Sequence, residues 1–307
     1  MNATADFPTS RPIRLRATLI GFTAVLMWSL LALFTAASGA VPPFQLAAMS
    51  FLIGGLIGAT RWATVPGAMT SLRQPVAVWL LGVGGLFGYH FFYFTALRNA
   101  PAVEAGLIAY LWPLLIVLFS ALLPGEKLKV HHVAGGLLGL AGAALIVTGG
   151  GDLSFREEYA YGYAAALLCA LIWSSYSVLS RRFSSVPTDV VTGFCLITAF
   201  LSAIAHMSLE TTVWPATAGQ WLAILALGLM PVGAAFYVWD YGVKHGDIQV
   251  LGASSYAAPL LSTIVLIVTG FAEATWVVAV ACVLITGGAA LAARDLIGKR
   301  SGPERNR

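Results

Sequence analysis

Apolar residues dominate this chain in long runs broken by short polar links. Ten runs can be drawn, at 17–37, 43–60, 76–97, 103–123, 133–149, 160–180, 190–209, 219–240, 248–271 and 274–293. Each is near the roughly 20 residues that cross a bilayer as a helix. Runs such as Leu107 to Leu123 lack the strict alternation of a membrane barrel. The pattern therefore predicts an all-α, polytopic membrane protein of ten spans, with no extramembrane domain in the links. The first run follows Arg14 and Arg16 and is longer than a signal-peptide core, so it reads as span 1.

The few charged positions then orient the chain. With the N-terminus in the cytoplasm, fifteen of the 17 Lys and Arg residues fall on that side: Arg11, Arg14, Arg16, Arg61, Arg73, Lys127, Lys129, Arg181, Arg182, Lys244, Arg294, Lys299, Arg300, Arg305 and Arg307. Only Arg98 and Arg156 fall on the other. Such a bias is the positive-inside signature, and it predicts an N-in, C-in topology. Composition agrees with the class: 59% hydrophobic and only 10% charged, against about 25% charged in a soluble domain. The net charge of +4 is scattered between apolar runs, which argues against a nucleic-acid surface. Cys169, Cys195 and Cys282 lie inside apolar runs without metal or disulfide spacing. No metal site and no cofactor are expected.

An internal repeat shows next. Trp28-Ser29 and Val41-Pro42 match Trp173-Ser174 and Val186-Pro187 at an offset of 145. Tyr110 and Pro113 match Tyr256 and Pro259 at 146, and Leu97-Arg98 aligns with Val243-Lys244. This predicts two repeats of five spans, 17–149 and 150–294, between a tail at 1–16 and a basic tail at 295–307. Five is odd, so the second repeat enters the membrane inverted, as in secondary transporters. An intramembrane enzyme would need converging acids, bases or a metal set, and there is no HExxH and no paired central carboxylate. The chain is expected not to be an enzyme.

Several motifs recur in order: the turn Ala96-Leu97-Arg98-Asn99-Ala100-Pro101-Ala102, Pro113 in span 4, and Gly125-Glu126-Lys127-Leu128 after it. Over roughly residues 17–294 the chain resembles the EamA-type repeat of the drug/metabolite transporter superfamily. Ala109-Tyr110-Leu111-Trp112-Pro113-Leu114-Leu115 and the aromatic third span resemble its bacterial aromatic amino acid exporters. Ala272-Glu273 departs from the pattern, standing where Gly-Glu would be expected. The resemblance implies export of aromatic amino acids from the cytoplasm across a bacterial inner membrane through a ten-helix bundle. The alternative is export of other amino acids, drugs or metabolites.

The residues suggest where substrate would sit. Tyr89 and Tyr93 share a face of span 3, Tyr110 and Trp112 lie in span 4, and Trp28 and Trp173 are at mid-depth. Mid-depth Trp is unusual, because Trp and Tyr gather at membrane interfaces. These six, with His90, Ser254 and Tyr256, form the candidate substrate site. Flat apolar faces edged by hydroxyls suit an aromatic side chain, and Ser29, Ser174 and Ser255 are further donors. Core packing is the competing reading for the Trp residues, and a neutral, bonded imidazole the competing one for His90. Trp62, Trp79, Trp214, Trp221, Trp239 and Trp276 read as interface belt. Pro113, Pro231 and Pro259 are candidate hinges, though each also fits a packing kink. Asp240 and Lys244 read as an interfacial ion pair and candidate inner gate. Glu104 suits the helix N-terminus of span 4. The Gly54/Gly58 and Gly135/Gly139 pairs predict close helix packing. The expected partners are a small aromatic substrate and lipid; the chain is expected to be a monomer or weak dimer.

Overall fold

A computed structural model of the chain describes residues 11–153, 155–270 and 273–297. The segment 1–10, Ala272 and the tail positions Lys299, Arg300, Arg305 and Arg307 lie outside the described residues. Among the described residues the structure is helical throughout, without strands. Nine helices among the described residues are long and apolar enough to cross a membrane: Pro12–Ala37, Pro43–Thr64, Val76–Asn99, Ala102–Leu122, Val130–Thr148, Glu157–Phe183, Thr188–Leu209, Ala218–His245 and Ile248–Val268. A shorter tenth, Trp276–Ala292, has 17 residues, at the lower limit for spanning. These are spans 1 to 10.

The helices pack through glycine. A Cβ on Gly54 (span 2) would lie 2.8 Å from the Gly233 Cα of span 8. A Cβ on Gly21 (span 1) would lie 2.9 Å from the Gly242 Cα, also of span 8. A Cβ on Gly135 (span 5) would lie 2.5 Å from the Gly288 carbonyl of span 10. Between apolar helices in lipid no hydrophobic force favours contact, so this close approach supplies the packing energy. Both small-residue pairs seen in the sequence are thus spent inside the bundle: Gly58 faces Tyr237 and Thr192, and Gly139 faces Tyr256.

Three spans are broken near mid-membrane. Span 1 breaks at residues 29–30, span 4 at 110–111 and span 9 at 255–256. Pro113 and Pro259 explain the last two. A proline removes one N–H and clashes with the carbonyl four residues back, here Ala109, the last residue of its half-helix, and Ser255, the cap that follows the half-helix Ile248–Ser254. Spans 3 and 8 instead carry π-helical turns, at Gly84–Gly88 and Met230–Ala234. Pro231 lies within the second of these, and the two turns sit 146 residues apart. The duplication therefore repeats the irregularities of the chain as well as its letters.

Substituting Val for Gly135 or Gly288 should abolish the monodisperse peak in fluorescence-detected size-exclusion chromatography. Gly287→Val is the control, since nothing lies within 4 Å of a Cβ there. Equal behaviour of all three variants would refute the close-approach account.

Candidate functional site

Four tryptophans meet at the centre of the bundle: Trp28 of span 1, Trp112 of span 4, Trp173 of span 6 and Trp239 of span 8. All six ring-to-ring distances fall between 5.1 and 6.3 Å. Trp239 is 0%, Trp173 4% and Trp112 6% exposed. Trp239 was expected at the interface. It sits instead in the core because span 8 runs on to His245, well past its expected end. Its indole N–H donates to Ser177 Oγ at 3.1 Å. The Trp28 indole donates to the Pro231 carbonyl at 3.0 Å, within the π turn of span 8.

The aromatic wall continues through span 3. Tyr89 packs on Trp173 at 5.5 Å and stacks on Tyr93 at 5.9 Å and 6°. His90 meets the enclosed Phe51 edge-on at 5.0 Å, and Phe51 stacks on Phe236 at 5.4 Å. Tyr89, His90, Tyr93, Tyr110 and Trp28 are partly exposed, and three of them pack against enclosed rings: Trp28 on Trp239, Tyr89 on Trp173 and His90 on Phe51. His90 Nδ1 donates to the Leu86 carbonyl at 2.7 Å, so in the neutral ring its Nε2 carries a lone pair and acts as an acceptor.

The other candidates are placed differently. Ser29 Oγ donates to the Leu26 carbonyl, and Ser254 and Ser255 both donate to that of Leu251. Ser174 Oγ lies 2.6 Å from the Ala170 carbonyl and 3.0 Å from the Trp112 carbonyl of span 4. These hydroxyl protons are committed to backbone. Tyr256, expected to face substrate, is fully enclosed, and its Oη accepts the Leu114 N–H at 3.2 Å. In an unbroken helix that N–H would serve the Tyr110 carbonyl, so Tyr256 closes the break in span 4 from the other repeat.

One end of the bundle is sealed by charge. Lys244 Nζ pairs with Asp240 at 2.8 Å and donates to the Val186 carbonyl at 3.0 Å. Thr188 Oγ1 donates to Asp240 at 2.7 Å. Asp240 and Lys244 are 1% and 2% exposed, so the pair is buried in protein rather than interfacial as expected. Nearby, Glu126 joins Arg181 at 2.7 Å and Arg14 at 3.1 Å, and Arg14 also reaches Asp247 at 3.0 Å. Arg181 Nη1 donates to the carbonyls of Val243 and Gly246. At the opposite end Glu210 accepts the backbone N–H groups of Phe44 and Gln45 and pairs with Arg98 and His206. Phe51, Phe236 and these two charge clusters were not singled out from sequence. Only the Gly125-Glu126 motif pointed toward one of them.

An EamA-like transporter family model matches residues 15–148 and 160–294. The chain belongs to this family. It is 59% identical to the aromatic amino acid exporter YddG of Ancylobacter novellus, over 91% of this chain and 97% of that protein. It is 27% identical to Escherichia coli YddG, over 81% and 87% of the two chains. A crystal structure of a chain 59% identical superposes with a TM-score of 0.87, covering 91% of this chain and 99% of that one. The relatives are named exporters, and the chain is a multi-pass protein of the bacterial inner membrane.

Tyr256→Phe should leave the Leu114 N–H without an acceptor, at about 1–3 kcal/mol. Thermal unfolding in detergent should show a lower Tm, and an unchanged Tm would disprove the strut role. Lys244→Met should destabilise by about 3–5 kcal/mol, because it strands a buried carboxylate. The double variant Asp240→Asn with Lys244→Met should recover part of that loss in the same assay; no recovery would argue against a self-neutralising pair.

Proposed function

We propose that the protein exports aromatic amino acids from the cytoplasm by alternating access around the tryptophan floor. The observation that carries this reading is the asymmetry of the site. Partly exposed Tyr89 packs on the enclosed Trp173 and stacks on Tyr93, and His90 meets the enclosed Phe51; these residues, with Tyr110, border the substrate recess, while the far side is shut by Asp240–Lys244 and the Glu126 cluster. The positive-inside distribution makes the shut side cytoplasmic, with N- and C-termini inside and the second repeat inverted. The recess then faces outward. The names of the similar exporters support the substrate class.

The chemistry follows from the lining. The substrate ring stacks against Tyr89, Tyr93 and Trp173, each aromatic pair being worth about 0.5–1.5 kcal/mol beyond buried area. His90 Nε2 accepts a hydrogen bond from the substrate ammonium, and the Tyr110 hydroxyl edges the recess. Opening the cytoplasmic side requires that Lys244 leave the Val186 carbonyl, that Thr188 leave Asp240 and that the Glu126 cluster rearrange. Each such hydrogen bond to a charged group is worth about 1.5–3 kcal/mol. The ion pair itself lies within one helix turn and moves with span 8, so no bare charge is created as the gate opens. Pro231 and the π turn of span 8, with the breaks at Pro113 and Pro259, supply the flexible points.

Proteoliposomes should show saturable flux of labelled phenylalanine, tyrosine and tryptophan. Trp173→Ala and Tyr110→Ala should each cut the rate about tenfold, equivalent to about 1.4 kcal/mol, at unchanged expression. Failure of all three amino acids to move would sink the substrate assignment, and unchanged rates in both variants would remove those residues from the site.

A further inference from the structure

The start of span 5 and the segment after span 10 bring together three groups that the transport reading does not use. His131 and His132 open span 5, and Asp295 follows Trp276–Ala292. Their rings and carboxylate offer one ligand atom each, and these atoms lie within 4.8 Å of one another. The histidines are only 4% and 5% exposed. Neither ring nitrogen of His131 has a hydrogen-bond partner, which is costly for a buried polar group. His131 Nε2 stands 3.4 Å from Asp295 Oδ2. A tetrahedral ion with ligand bonds of about 2.0–2.2 Å has edges of about 3.4 Å.

We infer that His131, His132 and Asp295 form a binding site for a divalent transition-metal ion that clamps the end of span 10 onto the start of span 5. Two imidazoles and one carboxylate, with a fourth position left to water, are a donor set suited to zinc. Asp295 is exposed and gives the ion its entry from solvent. The Lys129 ammonium now occupies Asp295 and must be displaced for the carboxylate to ligate. It disfavours positive charge at both histidines, and the Lys129 side chain, 52% exposed, swings out into solvent as the metal enters. His132 Nδ1 accepts the Lys129 backbone N–H at a long 3.3 Å, so its ring gives up one weak bond to turn toward the ion. Arg294 opposes the ion's charge, which limits affinity without removing a ligand. The backbones of spans 5 and 10 are already close at Gly135 and Gly288, so the clamp extends an existing contact.

The test is titration of the purified full-length chain, with any affinity tag cleaved, by zinc chloride in a calorimeter. Binding should saturate at one zinc per chain and raise the Tm. Cobalt in place of zinc should give the strong visible absorption of a four-coordinate ion. His131→Asn and Asp295→Asn should each weaken binding by at least tenfold, the low end of what disturbing a metal site costs; His206→Asn, at the opposite end of the bundle beside Glu210, should bind as the parent does. Asp295→Asn decides the matter if His131→Asn fails to fold, because Asp295 is exposed. No saturable zinc binding, or equal binding by Asp295→Asn and the parent chain, would overturn the site.

Discussion

A helix broken inside a bilayer exposes backbone groups that lipid cannot satisfy, and the arrangement of this protein depends on how those groups are served. The break in span 4 frees the Leu114 N–H, which Tyr256 of span 9 accepts from. The Trp112 carbonyl beside it lies 3.0 Å from Ser174 Oγ of span 6. The π turn of span 8 frees the Pro231 carbonyl, which takes the Trp28 indole N–H of span 1. Each of these three groups is served by a side chain from another span, and in all three cases from the other repeat. The repairs draw Trp28, Trp112 and Trp173 together, so the floor of the recess is assembled by the same bonds that make the breaks tolerable.

Charge obeys the same economy. A buried ion needs a partner, because desolvation otherwise exceeds what the surroundings return. Asp240 and Lys244 meet one turn apart on one helix and so stay neutralised whatever the neighbouring elements do. The Glu126 cluster is different in kind. It joins Arg14 of span 1, Arg181 at the end of span 6 and, through Arg14, Asp247 at the head of span 9. Opening at this end under alternating access would leave the first pair intact and would have to rearrange the second, so the Glu126 cluster sets the larger part of the barrier on that side.

Much of this was legible in the sequence, for reasons that can be named. Ten spans follow from apolar length alone, and the tenth, at 17 residues, shows how near that rule runs to its limit. The breaks at Pro113 and Pro259 follow from the missing proline N–H. The position of Trp239 was not legible, because Asp240 and Lys244 look like the end of a span when read as charges; only their pairing lets the helix continue to His245. The serines have a local partner that a list of candidate donors does not show. A hydroxyl in a span looks free in sequence, yet the backbone carbonyl three or four residues earlier is always within reach, as Leu251 is for Ser254 and Ser255. The ion clusters were illegible because their members are far apart: Arg14 and Glu126 are 112 residues distant, as are Arg98 and Glu210.

The two repeats diverge where they would do different work. Arg98 and Lys244 occupy matching ends of spans 3 and 8, and each reaches the segment that follows a Val-Pro step or the group that holds it. Lys244 binds the Val186 carbonyl directly, ahead of Pro187. Arg98 acts through Glu210, whose carboxylate accepts the N–H groups of Phe44 and Gln45 just after Val41-Pro42-Pro43. The first device is buried and self-neutralised; the second has a cation that is 38% exposed, borne on a different span from its carboxylate. Glu126 is the centre of a buried cluster, whereas Glu273, where a second Gly-Glu would stand, is exposed. A duplicated fold with equal ends would favour neither direction of opening. Here the ends differ in the number and burial of their ion pairs, so under alternating access the two directions of opening would break different sets of charge contacts.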